Sequence, residues 1–215
     1  MSKAPYQKSA RWYDTIIEPL NTGLRQIGLK MMPPEPGQRV LDVGCGTGTH
    51  LDLYRQAGCK VFGIDLSPAM LDIARKKLGD QAQLLLGDAS RMPYPDASYD
   101  LVMVTLALHE MPPATRLAVV GEMRRVLKQT GRILIIDYHP GSIRSLKGWL
   151  FRGMIFFIEW LAGGEHFRNY RHFLTKGGVL PLGRQSNLAQ VQTKFVTGGN
   201  LGLFVFAPRQ TVPVS

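Results

Sequence analysis

Residues 40–48, Val40-Leu41-Asp42-Val43-Gly44-Cys45-Gly46-Thr47-Gly48, run from an apolar stretch straight into three closely spaced glycines. A short β-rich run that ends this way and then turns helical reads as strand, tight loop and helix. Glycines in such a loop let the backbone approach a ligand, because no side chain intervenes. Thr49 stands where a Gly-x-Gly-x-x-Gly fingerprint places its third glycine. The spacing is therefore Gly-x-Gly-x-Gly, which disfavours a nicotinamide dinucleotide.

From Arg39 onward, β-rich runs alternate with helical patterns, as in βαβ units that build a mostly parallel sheet. Strands are expected at 39–43, 60–64, 82–86, 101–105 and 132–136. Helices are expected at 49–57, 68–78 and 113–127, with Thr130-Gly131 as the turn into the fifth strand. Ser67-Pro68 supplies an N-cap with proline at the first helical position, and Gly79 a stop. Near the C-terminus, 191–196 and 203–206 flank Thr197-Gly198-Gly199-Asn200, a closing antiparallel hairpin. The expected fold is a single α/β domain over 1–215. It is a Rossmann-like, seven-stranded, mostly parallel sheet with an antiparallel last strand and helices on both faces. An N-terminal arm (1–38) precedes the core (39–140), and a helical insertion (141–184) precedes the closing strands (185–215).

The chain has 215 residues, 45% hydrophobic, with two cysteines and a net charge of +10. That is ample for one core. Cys45 and Cys59 form neither a disulfide framework nor a metal-ligand spacing, so a reducing setting and no metal are expected. The first residues contain no apolar run of a secretion signal, which points to a cytoplasmic location. Residues 41–140 are neutral, with eleven basic and eleven acidic side chains, whereas 1–40 carry six against three and 141–215 nine against two. Basic flanks attract nucleic acid, anionic membranes or acidic substrates, or simply keep the protein soluble. Residues 149–162 are strongly apolar, but Arg152 and Glu159 interrupt them and the run is too short to span a bilayer. Core packing is the default reading for Trp149, Phe151, Phe156, Phe157 and Trp160.

Three acids stand at the ends of three successive strands. Asp42 precedes the glycines, where a carboxylate meets a cationic amine or holds the loop. Asp65 closes the second strand, placed to accept from two ribose hydroxyls, and Asp88 follows the third, placed to accept from an adenine amine. Leu66 and Met70 offer apolar walls for a base. Each acid alone reads as a turn or cap residue, but three at successive strand ends mark a ligand crevice.

These pieces resemble the class I methyltransferases that use S-adenosylmethionine (SAM), in particular the small-molecule group that includes quinone-biosynthesis enzymes. The stretches that carry the resemblance are VLDVGCGTG (40–48), GIDLSPAML (63–71), GDAS (87–90), YDLVMVTLALHEM (99–111) and GRILIIDY (131–138). The resemblance implies SAM as cofactor and S-adenosylhomocysteine as product. It implies Asp42, Gly44, Cys45, Gly46, Gly48 and Leu106 beside the methionine moiety, Asp65 on the ribose, and Asp88 and Ala89 on the adenine.

A sulfonium methyl is already activated, so the protein mainly aligns the acceptor in line and excludes water. A base is needed only where the acceptor loses a proton. His109 and Glu110 after the fourth strand, and Tyr138 and His139 after the fifth, are the candidates, His109 first because imidazole titrates near neutral pH. Tyr6, Trp12 and Tyr13 lie in an arm resembling the family's N-terminal lid. Tyr13, His109, Trp149, His166 and Tyr170 are the expected substrate contacts. An apolar acceptor, quinone-like or lipid-like, is expected, with peripheral membrane contact suggested by Arg144, Lys147, Arg152, Arg168, Arg171 and Lys176 around the apolar run. The oligomeric state is not readable. RNA methylation is the second enzymatic reading, opposed by Thr105-Leu106-Ala107-Leu108 standing where base-methylating enzymes carry an Asn-Pro-Pro-Tyr type of tetrapeptide. A non-catalytic SAM-binding protein is the third.

Overall fold

The computed structural model describes residues 18–143 and 145–209. Tyr6, Trp12 and Tyr13 of the expected lid, and Arg144, lie outside them. In chain order the elements are α1 (Glu18–Met31), β1 (Arg39–Val43), α2 (Thr49–Gln56), β2 (Lys60–Asp65), α3 (Pro68–Leu78), β3 (Ala82–Leu86) and β4 (Tyr99–Thr105). There follow α4 (Pro113–Val126), β5 (Leu127–Tyr138), α5 (Leu146–Leu161), α6 (Gly164–Thr175), α7 (Val179–Gln185), β6 (Leu188–Val196) and β7 (Leu201–Pro208).

The strands form one sheet in the order 3-2-1-4-5-7-6. β1 pairs in parallel with β2 and β4, β2 with β3, and β4 with β5, while β7 runs antiparallel to both β5 and β6. Side chains alternate across this sheet. Leu41, Val43, Val102 and Val104 enter one buried cluster, and Val40, Leu101, Met103, Leu134 and Ile136 enter another on the opposite face. Helices cover both. The order reverses direction at β1 and β4, so the loops after these strands flank a crevice at their carboxyl ends, where open α/β sheets bind ligands.

α3 begins as its sequence dictates: the Ser67 hydroxyl accepts from the Met70 amide, Pro68 occupies the first turn, and Gly79 follows with φ 59°. β5 departs from expectation. The helix before it ends at Val126, and Leu127 is already extended, fully buried and paired with Tyr99. Thr130-Gly131 thus lies within an irregular strand, after a register shift between Tyr99 and Leu101. Burying Leu127 against the core wins over continuing the helix.

α5 departs further. Core packing does not hold for it: Trp149, Phe151, Phe156, Phe157 and Trp160 are all exposed, with Leu146, Leu150, Met154, Ile158 and Leu161. The residues that α5 buries are Gly148, Ile155 and the carboxylate-bearing Glu159. No helix among the described residues is long and apolar enough to cross a membrane.

Candidate functional site

A cavity of about 660 Å³ opens at the carboxyl ends of β1, β2, β3 and β4. That size suits a nucleoside-sized ligand plus a second small molecule. Asp42, Gly44, Cys45 and Gly46 line it from the β1 loop, Asp65, Leu66 and Met70 from the β2 side, and Asp88 and Ala89 from the β3 side. Leu106 and Glu110 line it after β4, and Gly163, Glu165, His166 and Asn169 close it from the insertion.

The glycine loop is shaped by its own backbone. Gly44 and Gly46 take φ 68° and 53°, and a side chain at Gly46 would meet no protein atom within 4 Å, so that position faces open cavity. Gly48 has another role. It starts α2 with φ 75°, does not line the cavity, and a Cβ there would come within 2.7 Å of Leu78. Its bareness lets α2 pack on α3.

Asp65 ties the loop to the next helix, its two oxygens accepting from the amides of Gly46 and Ser67, each at 2.8 Å. Burial raises its pKa, opposed by these backbone donors. Asp88 accepts from the Ser90 amide at 2.8 Å and so is held toward the cavity rim. Burial, with Asp42 and Asp65 nearby, pushes the Cys45 thiol up, which leaves it a packing group rather than a nucleophile.

His50 was not among the expected residues, yet it lines the cavity from α2, with Nδ1 3.1 Å from the Thr105 hydroxyl. Burial, helped by the Arg25 charge, lowers its pKa from 6.5 to about 3. A histidine depressed in this way is neutral when folded. Below about pH 6.5 the unfolded chain takes up a proton that the fold refuses, so stability falls with pH by up to about 1.4 kcal/mol per unit. Urea unfolding between pH 5 and 7 is expected to show this slope in the wild type and a flatter one in His50→Gln. Equal slopes would refute it.

Among the candidate bases, His109 sits in a 3-10 turn after β4, buried and behind the cavity wall rather than in its lining. Its Nδ1 is 2.7 Å from Asp137 Oδ1, while Asp137 Oδ2 accepts from the amides of Leu108 and His109. Burial alone would lower the His109 pKa, but Asp137, with Glu110 and Glu159 close by, raises it to about 9. Such an imidazole holds its proton at neutral pH, which removes the reason for expecting it to accept one. Tyr138 also lies behind the wall, its hydroxyl donating to Glu159 Oε1 at 2.8 Å. His139 points elsewhere, stacked on Phe195 with ring centroids 4.3 Å apart.

Of the expected substrate contacts, His166 lines the cavity, Tyr170 is buried edge-on against His109 and Tyr138, and Trp149 is exposed on the outer surface. Glu159, Asp137 and Arg116 were missed. Glu159 Oε2 lies 2.5 Å from His166 Nε2, and Arg116 ties the turn after β4 to α6 through the carbonyls of Leu108, Met111 and Asn169. A single carboxylate in an apolar run was the one signal for Glu159.

Residues 41–135 match the methyltransferase domain family. The chain is 36% identical to an uncharacterized methyltransferase of Synechocystis over 61% of this chain and 61% of that one. It is 34% identical to a demethylmenaquinone methyltransferase of Renibacterium salmoninarum over 66% of this chain and 62% of that relative. In structure it is similar to a SAM-dependent methyltransferase from Aquifex aeolicus, with a TM-score of 0.66, 20% identity, and 95% and 99% of the two chains covered. At that identity the likeness speaks for the fold.

Proposed function

We infer that this chain, which carries a methyltransferase domain over residues 41–135, belongs to the class I SAM-dependent methyltransferases and transfers a methyl group to a small apolar acceptor. The observation that carries this reading is the single cavity wall shared by Asp42, the Gly44–Gly46 loop, Asp65 and Asp88. These are a buried carboxylate, a bare backbone, and two hydrogen-bond acceptors at successive strand ends.

In this reading Asp65 receives the ribose hydroxyls, Asp88 and Ala89 the adenine, and Leu66 and Met70 flank the base. Asp42 and the Gly44–Gly46 backbone surround the methionine moiety, with Leu106 beside the methyl-bearing sulfur. The acceptor enters between the turn after β4 and the start of α6, where Glu110, Glu165, His166 and Asn169 stand. Transfer is an in-line displacement, and the protein contributes alignment and exclusion of water. Any proton that the acceptor gives up passes to the Glu110 side, since that group reaches the cavity and His109 does not. His109, Asp137 and Tyr138 act as positioning residues for that wall.

A quinone-like or lipid-like acceptor is supported by the demethylmenaquinone relative and by the exposed face of α5. Ten large apolar side chains stand exposed on this one 16-residue helix. Lys147 on this helix and Arg168, Arg171 and Lys176 in the segment after it are exposed as well. An apolar face rimmed by cations matches an anionic membrane surface, which would bring the acceptor to the cavity mouth beside Ala162. Co-sedimentation with anionic vesicles is expected for the wild type, weakened by salt and by about tenfold or more in Trp149→Ser/Trp160→Ser. Wild-type protein that stays off anionic vesicles, or that buries α5 in a dimer, would refute the membrane contact.

The enzymatic reading is tested with methyl-labelled SAM and a cell extract split into organic and aqueous fractions. Label is expected in an organic-phase product. Label in RNA would favour the basic C-terminal segment as an RNA-binding surface, and SAM binding without transfer to any fraction would favour a non-catalytic protein.

A further inference from the structure

Behind the cavity wall, segments remote in sequence bring two imidazoles and a carboxylate together. One ring nitrogen each of His109 and His166 and a Glu159 oxygen all lie within 4.8 Å of one another. Glu159 Oε2 is 2.5 Å from His166 Nε2 and 3.7 Å from His109 Nε2. The second distance is longer than a hydrogen bond. Tetrahedral zinc, with bonds of about 2.0–2.1 Å, keeps its ligand atoms about 3.3 Å apart. His109 Nε2, at 3.7 Å from Glu159 Oε2, is already near that spacing, and His166, the most exposed of the three side chains at 14%, would draw back from Glu159 to reach it.

The surroundings are those of a metal site. Asp137 faces His109 Nδ1 at 2.7 Å, which places the proton on Nδ1 once the ring is neutral and leaves the Nε2 lone pair pointing at Glu159. A carboxylate behind a ligating imidazole fixes its tautomer and raises its basicity. Tyr138 donates to the other oxygen of Glu159, so this ligand too is oriented from outside. Glu159 is 5% exposed and is the one carboxylate on a helix otherwise rich in apolar side chains. Glu110 Oε1 stands 3.9 Å from His109 Nε2, and both Glu110 and His166 line the cavity, so the cluster borders the ligand space on that side.

We propose that His109, Glu159 and His166 bind a divalent transition-metal ion of the zinc type, with an open coordination position toward the cavity. Two imidazole nitrogens and one carboxylate suit zinc, cobalt(II) or iron(II) better than magnesium or calcium, which prefer oxygen ligands. No cysteine is involved. The site does not depend on the methyltransferase reading, because its ligands are named by geometry alone.

The test uses the full chain, stripped with a chelator and titrated with cobalt(II) in the absence of SAM. One equivalent is expected to give visible d–d bands that zinc(II) abolishes. His166→Ala, at the partly exposed ligand, is expected to weaken cobalt(II) binding by at least about tenfold, as is Glu159→Gln. Circular dichroism confirms that each variant is folded. Folded wild type that shows no stoichiometric bands, or bands unchanged in His166→Ala, would overturn the proposal. Either result leaves SAM binding, measured separately, unaffected.

Discussion

Asp65→Ala is expected to raise the dissociation constant for SAM by about 100-fold or more. In this reading the carboxylate would accept from two ribose hydroxyls. Hydrogen bonds to an ionised group contribute about 1.5–3 kcal/mol each, and every 1.4 kcal/mol is tenfold in affinity. The same side chain holds the amides of Gly46 and Ser67 at 2.8 Å, so its loss also frees the glycine loop from the start of α3. Asp65→Asn keeps an acceptor for one partner and should fall between. Asp88→Ala removes a single contact at the rim and should cost about tenfold. Calorimetric titration distinguishes these cases. An Asp65→Ala constant within a factor of about three of wild type would remove Asp65 from the cofactor site.

Asp137→Ala is expected to be the most destabilising single change near the cavity, by about 3–5 kcal/mol in the chelator-treated chain. The side chain is fully buried and accepts from the backbone amides of Leu108, His109 and Tyr138 as well as facing the His109 ring. Its removal deprives the buried His109 ring of its carboxylate partner and strands three backbone donors at once. For a chain of this length the loss corresponds to a fall in melting temperature on the order of 10 °C. Asp137→Asn retains an acceptor for the amides and should lose less. Scanning calorimetry and urea unfolding read the effect directly. A loss below about 1 kcal/mol would show that neighbouring groups or water replace the carboxylate.

The sheet was readable from sequence because each buried strand is a short apolar run bounded by turn residues, and the Ser67-Pro68 start of α3 is a local signal. The aspartates at strand ends were readable for the same reason, since the chain itself shows where each strand stops. Leu127 was not, because an apolar residue after a helix looks like more helix until its partner Tyr99 is known. α5 misled in the opposite sense. Its apolar spacing suggested a buried face, whereas the fold buries Glu159, whose partners His109 and Tyr138 lie far away in sequence and His166 on the next helix. Gly48 looked like part of a ligand loop, and only the position of Leu78 shows that it serves helix packing. Pairings such as His109 with Asp137 leave no spacing signature, so the polar cluster behind the cavity emerges only when the strands are assembled.

In this reading the cavity at the ends of β1, β2 and β3 is built for SAM. Isothermal titration of SAM and, separately, of NAD into the wild-type chain tests it most directly. One SAM per chain is expected, displaced by S-adenosylhomocysteine, with no heat from NAD. Saturable binding of NAD without binding of SAM would contradict the account.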